Sequence, residues 1–345
     1  VLVVLGERYA DDPPTARDGV RVETRDVDFG ALEGRTVIDG AEARAALRLD
    51  GSAFWSAPFD VLHVHDWYGA LPALAFSTRS SAVLTSAHLP MRFGFTYANH
   101  AVPLRAKIRL ETLGLRLAAR VLAPSRYVAA LLEREYDVDP DRLGVVLNGV
   151  DLEAFSPGSP GAEARAAVPT LLSVSRLAEQ KGLDLLLATF AAVRAARPDA
   201  RLEIVGDGPA RPALEAELTR RGLPAATTLH GYVRHGALPA LYRRAHVFVS
   251  ASIYEPFGLT TLEAMACGTP VVASSLGGAP EFVRDGEDGF VRPPHERGLA
   301  EATLRVLGGD LEAMGRSARA RAEALSWDRV TEAIEREYDR ARGAR

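Results

Sequence analysis

The feature that most constrains the fold is a rhythm that runs through the chain twice. Apolar runs of three to six residues, suited to strands buried on both faces, alternate with longer stretches of helical period. In the first half the expected strands are Val1–Leu5, Asp60–His65, Ala82–Ser86, Arg120–Ala123 and Val145–Leu147. The expected helices between them cover 41–49, 69–76 and 104–119, with one more after Ser125 as its cap. A Gly-, Pro- and Ala-rich piece at 158–168 reads as a linker. The pattern then restarts, with strands at 170–174, 201–205, 227–230, 247–250, 271–273 and 290–292. Helices fall at 182–196, 210–221 and 238–244, and two more are expected from Leu299 onward. Such alternation predicts two α/β domains, each a doubly wound parallel sheet, divided as 1–157 and 169–326 around the 158–168 linker. In such sheets ligands sit at the carboxyl ends of the strands. His65, Asp66, His88, Arg176 and Glu255 all fall just after predicted strands.

Bulk properties narrow the function classes. A length of 345 residues suits two cores rather than one. With 41 basic and 45 acidic residues the net charge is −4, which gives no global basic field for a nucleic acid. The single cysteine, Cys267, excludes an internal disulfide and a cysteine metal cluster, and its apolar helix marks it as core. No run approaches the roughly 20 apolar residues of a membrane span, and the cytoplasm is the expected location.

The stretch most telling for function is Glu255–Ser274, EPFGLTTLEAMACGTPVVAS. Pro256 and Gly258 make a tight approach, Thr260 or Thr261 is the expected cap, and Leu259, Leu262 and Met265–Ala266 form an apolar stripe. Gly268 and Pro270 end the helix before a strand. The helix start offers N–H groups and a positive dipole end to a phosphate. Glu255 and Glu263, with seven residues between them, suit hydroxyls instead. For two isolated acids a solvated position is the commoner case, but Glu263 lies on a helix that reads as buried. Together these residues predict a ligand carrying both phosphate and hydroxyls, as a nucleotide sugar does. In SVSRLAEQKG, Arg176 and Lys181 lie in a loop after a strand, suiting a diphosphate: Arg binds two oxygens and Lys supplies a point charge.

Arg176 with Lys181-Gly182, the turn Gly206–Pro209, HGYV at 230–233, NGVD at 148–151 and EPFGLTTLEAMACGTPVV together resemble the retaining glycosyltransferases of family 4. These have the GT-B architecture and include glycogen-synthase-like and mannosyltransferase-like members. The resemblance covers about Asp60 to the C-terminus and is most specific in the second half. It implies two Rossmann-like domains facing a cleft, with the closing segment 327–345 returning to the first domain. It also implies roles. Arg176 and Lys181 would neutralise the leaving diphosphate, and Glu255 would bind hydroxyls of the donated sugar. Glu263 would bind the ribose, the backbone of Phe257, Gly258, Leu259 and Thr260 would cradle sugar and phosphate, and Gly231, Tyr232 and Val233 would lie along the base. His88 matches a histidine facing the donor sugar, and His65 and Asp66 would either shape the acceptor side or simply hydrogen-bond at a strand end.

The mechanism implied is a front-face substitution, in which the leaving phosphate takes the acceptor's proton and the two cations stand in for a metal. No cofactor is expected. The partners implied are a nucleotide sugar and an acceptor hydroxyl, and a lipid acceptor would add contact with a membrane surface. Asp207-Gly208-Pro209 reads as a turn rather than a metal pair. Members of the family begin with a strand, a Gly-rich loop and a helix. The chain as numbered starts after such a unit, so a native protein about thirty residues longer is expected. Two alternatives are a sugar-nucleotide epimerase, which shares the architecture, and a non-catalytic nucleotide-sugar binder.

Overall fold

A computed structural model describes residues 60–76, 82–92, 104–158 and 165–343. The expected strand Val1–Leu5, the helix at 41–49 and any segment before residue 1 lie outside the described residues. The chain divides into two compact units, the first ending at Val146 and regaining Ala333–Arg345, the second holding Ser125–Tyr127 and Leu147–Glu332. Residues 147–157 therefore pack with the second unit, not with the first as the sequence suggested. Val150 and Phe155 are buried in the same core as Leu172 and Phe248, which anchors that segment beyond the 158–168 piece.

Among the described residues the first unit carries a parallel sheet in the order β1 (Val61–His65), β2 (Ala82–Ser86), β3 (Arg120–Ala123) and β4 (Leu143–Val145). β4 starts two residues earlier than expected, because its pairing with β3 runs from Val121↔Leu143 to Ala123↔Val145. Helices α1 (Ala70–Phe76), α2 (Leu104–Leu117) and α3 (Arg126–Tyr136) connect the strands.

Among the described residues the second unit has six parallel strands: β5 (Thr170–Val174), β6 (Arg201–Val205), β7 (Thr227–Gly231), β8 (Val247–Ser250), β9 (Val271–Ser274) and β10 (Gly289–Arg292). Their spatial order is β10-β9-β8-β5-β6-β7. The chain builds outward from β5 to β7 on one side, then returns to place β8 against β5 on the other. The loops after β5 and β8 thus diverge at a topological switch point, where such sheets leave a crevice. Buried residues alternate between two cores: Leu172, Val205 and Phe248 face one layer of helices, while Leu171, Leu202, Val247 and Val249 face the other. Each fully buried Leu or Phe contributes about 1.5–3 kcal/mol relative to exposure.

The connecting helices are α4 (Leu183–Ala196), α5 (Arg211–Arg220), α6 (Leu238–Arg244) and α7 (Leu259–Ala266). Three helices close the chain where two were expected: α8 (Glu296–Leu307), α9 (Leu311–Glu323) and α10 (Trp327–Gly343). Gly308-Gly309 ends the first, and Asp310 caps the next by accepting from the Glu312 and Ala313 N–H groups. Among the described residues no helix is long and apolar enough to cross a membrane.

One side chain ties these pieces together. Arg319 on α9 donates Nη1 to the carbonyls of Phe155 at 2.8 Å and Ala266 at 2.9 Å, and its Nε pairs with Glu323 at 2.8 Å. Arg319→Ala strands two carbonyls and is expected to destabilise the second unit by about 1–3 kcal/mol. A thermal melt checks it; an unchanged midpoint would remove Arg319 from the packing of that unit.

Candidate active site

The switch point brings together residues far apart in sequence. After β5 the chain runs through Arg176, exposed, to a 3-10 turn at Glu179–Lys181 that leads into α4. Ser175 N donates to Val205 O at 3.0 Å and Leu177 N to Asp207 O at 2.9 Å, so the Gly206–Pro209 turn supports the Arg176 loop. From the other side Ile253 N, in the loop after β8, donates to Gln180 O at 2.9 Å. This seam sets Lys181 against Glu255: Lys181 Nζ lies 2.7 Å from Glu255 Oε2, both side chains about four-fifths buried at 20% and 17% exposed. Ser252 Oγ donates to the same oxygen at 3.1 Å.

Glu255 is fixed through its backbone as well. It forms a bridge with Gly277, and Gly278 N donates to Glu255 O at 3.0 Å. The chain then turns through Pro256 and the buried Phe257 into α7. Gly258 occupies the cap position, with no side-chain cap bond, so neither Thr260 nor Thr261 caps this helix as expected. Gly258 O instead accepts from Thr261 N at 3.0 Å and Leu262 N at 3.1 Å. A helix start without a side-chain cap keeps its first N–H groups available to an anion. Leu259 is exposed and Thr260 half-buried beside it.

Glu263 sits one turn into α7 with both oxygens engaged. Tyr242 OH donates to Oε2 at 2.8 Å, and His235 Nε2 lies 3.2 Å from Oε1. Burial raises its pKa, and the bonds from Tyr242 and His235 oppose the rise. Phe155 packs edge-on against both rings, at 4.8 Å from His235 and 6.0 Å from Tyr242. Gly231 and Val233 are half-buried and Tyr232 is 78% exposed, on the loop that leads from β7 to His235. Burial pushes the Cys267 thiol up to about 12, which suits a core residue rather than a nucleophile.

In the first unit the strand-end residues also cluster. Asp66 Oδ1 accepts from His88 N at 2.6 Å and Leu89 N at 3.2 Å, an anchor for the turn after β2. His65 Nδ1 lies 3.0 Å from His88 Nε2. His63, which the sequence reading passed over, stacks on His65 at 4.5 Å. Burial, then its two histidine neighbours, hold His63 down at about 3. His65 is lowered to about 4, first by desolvation of its ring between those neighbours, while an edge stays open to solvent.

Within the second unit, then, Lys181 meets Glu255 directly, with Arg176 on the same loop and Glu263 on the helix that Glu255 leads into. His65, Asp66 and His88 form a separate group in the first unit. Sequence reasoning missed Ser252, Tyr242, His235 and the Gly277-Gly278 pair. Only the last had a signal, a double glycine after a buried strand.

The model described as Glycosyl transferases group 1 matches residues 162–322, and Glycosyltransferase Family 4 matches residues 1–154. A D-inositol 3-phosphate glycosyltransferase of Streptomyces scabiei is 32% identical over 357 residues, covering 95% of this chain and 79% of the relative. The chain belongs to glycosyltransferase family 4. A second such relative, from Kribbella flavida, is 32% identical and covers 83% of this chain and 72% of its own length. Among solved structures, sucrose-phosphate synthase from Thermosynechococcus elongatus superposes with a TM-score of 0.76 at 24% identity, covering 97% of this chain and 87% of that one. The Anabaena protein HepE, solved with UDP and glucose, gives 0.70 at 21% identity, covering 92% and 85%. These likenesses show the GT-B fold, and the family makes the chain a glycosyltransferase.

Proposed function

We propose that this glycosyltransferase moves a sugar from a nucleoside-diphosphate sugar to an acceptor hydroxyl with retention, by front-face substitution and without a metal. The observation that carries the reading is the Lys181–Glu255 contact at the switch point of the second sheet, beside the uncapped start of α7. A cation, a helix dipole and a carboxylate within one crevice match the parts of such a donor: charge for the diphosphate, N–H groups for its oxygens, acceptors for sugar hydroxyls. Glu263 takes the ribose diol, for which the hydroxyls replace His235 on its carboxylate.

In the reaction the bond from the anomeric carbon to the diphosphate oxygen breaks as the acceptor oxygen attacks on the same face. The departing diphosphate takes the acceptor proton, and Arg176, Lys181 and the α7 N-terminus stabilise its growing charge. Glu255 is engaged by Lys181 and Ser252, which suits a hydroxyl-reading anion better than a nucleophile. On this reading His88 would act on the donor sugar, and His65 and Asp66 would shape the acceptor side. The relatives' name makes an inositol phosphate the first acceptor to try; a lipid acceptor would bring the chain to a membrane surface, and the cytoplasm is the site of action proposed.

The test begins with thermal shifts against UDP-, GDP- and ADP-sugars, because a ligand stabilises in proportion to the logarithm of its saturation. The donor that stabilises is then supplied with acceptors. The expected product keeps the donor's anomeric configuration by NMR, and EDTA leaves the rate unchanged. An inverted product, or loss with EDTA restored by Mg²⁺, contradicts the mechanism; conversion of the donor without acceptor points to the epimerase.

A further inference from the structure

The first unit holds a column of three imidazoles, His63, His65 and His88, whose contacts with one another the proposed mechanism leaves unused. Strand alternation puts His63 and His65 on the same face of β1. The parallel register sets His65 opposite Ser86, so that His88, two residues past Ser86, continues the column. His63 is locked at both nitrogens: Nε2 lies 2.8 Å from Ser86 Oγ and Nδ1 lies 2.9 Å from Tyr338 OH. The Tyr338 ring meets it edge-on at 5.6 Å. His65 stacks on that fixed ring at 4.5 Å and reaches His88 Nε2 through Nδ1 at 3.0 Å, the two rings lying 5.2 Å apart.

The backbone around His88 is constrained just as firmly. Asp66, at φ 49°, holds a left-handed conformation rare for a residue other than glycine. Asp66 N donates to Ser86 O at 2.8 Å, and its carboxylate takes the His88 N–H. Residues 65 and 66 thus hold the ring and the main chain of His88 respectively.

We propose that His65 is a positioning residue that sets the tautomer of His88, with His63, Ser86 and Tyr338 holding His65 in place. One proton occupies the axis between His65 Nδ1 and His88 Nε2. The nitrogen that His88 turns to substrate is therefore Nδ1, and whether it donates or accepts is decided by which partner owns the shared proton. The assignment rests on the reading of His88 as the residue facing the donor sugar. The titratable groups around the column are the three imidazoles, Asp66 and Tyr338, with Glu111 near Asp66 and Glu335 acting on Tyr338.

Ring-¹⁵N NMR of the intact chain tests this without a substrate. His88 signals, identified by their loss in His88→Asn, are expected to report one tautomer in the wild type. His65→Phe keeps a stacked ring but removes the nitrogen that meets His88 Nε2 at 3.0 Å; it is expected to release His88 into a tautomer mixture. Tyr338→Phe removes only the hydroxyl on His63 and is expected to shift the same signals in the same direction by less. With the donor found in the nucleotide-sugar screen, His65→Phe should lower kcat about tenfold or more, with KM little changed and the pH profile of kcat displaced. His88 signals identical in wild type and both variants, or a lowered kcat with an unmoved pH profile, would overturn the proposal. If His88→Ala itself keeps full kcat, the reading of His88 fails instead; if His88→Ala is slow and His65→Phe is not, only the positioning role fails.

Discussion

Glu255→Gln is expected to lower glycosyl transfer about 100-fold or more, the scale of losing one group aimed at the reacting centre. Affinity for the bare nucleoside diphosphate should survive or improve. The sign follows from the pair itself. Glu255 holds Lys181 at 2.7 Å, so neutralising the acid frees the ammonium for phosphate, while the donated sugar loses its charged acceptor. Lys181→Ala should do the reverse, weakening the nucleotide and the sugar-loaded donor together. Turnover with the donor sugar, measured beside nucleotide affinity, separates the two. Equal losses of both quantities in both variants would mean that the pair is only a strut.

Gly277→Ala should be nearly as damaging although it touches no ligand. A Cβ there would lie 1.9 Å from Glu255 O at φ +145°, so either the Glu255 backbone or the loop after β9 must move. The strained conformation is expected to cost about 1–3 kcal/mol. A displacement of Glu255 near 1 Å would slow transfer by up to about 100-fold. Gly286→Ala is the control: its φ is +84°, but a Cβ would meet nothing within 4 Å. It should cost stability through the same backbone preference and leave transfer intact. Wild-type transfer by Gly277→Ala would show that the Glu255 backbone does not need this support.

How much of this was legible in the sequence depends on whether the deciding interaction is local. β5, β8 and β9 read out from continuous apolar runs, and the residues after them were marked by falling at strand ends. The meeting of Lys181 with Glu255 was not legible, because it requires β8 to lie beside β5, which no local pattern states. Tyr242 carries no mark as a partner of Glu263; its hydroxyl arrives from another helix, and its ring reads as core. The cap of α7 went to Gly258 rather than a threonine because the turn needs a left-handed residue there. Gly308-Gly309-Asp310 held a stop and a start within three residues, so three closing helices were compressed into two. Period two put His63 beside His65, but the reach of Tyr338 across 275 residues was invisible.

The claim that the second unit binds the donor through its diphosphate is tested most directly by calorimetric titration of the intact chain with the nucleoside diphosphate of the stabilising donor. Wild type, Lys181→Ala and Arg176→Ala are compared at one ionic strength. The account predicts saturable binding by the wild type and an affinity about tenfold or more weaker in each variant, as expected for losing a charge-assisted contact to phosphate. Equal affinity in all three proteins would contradict it.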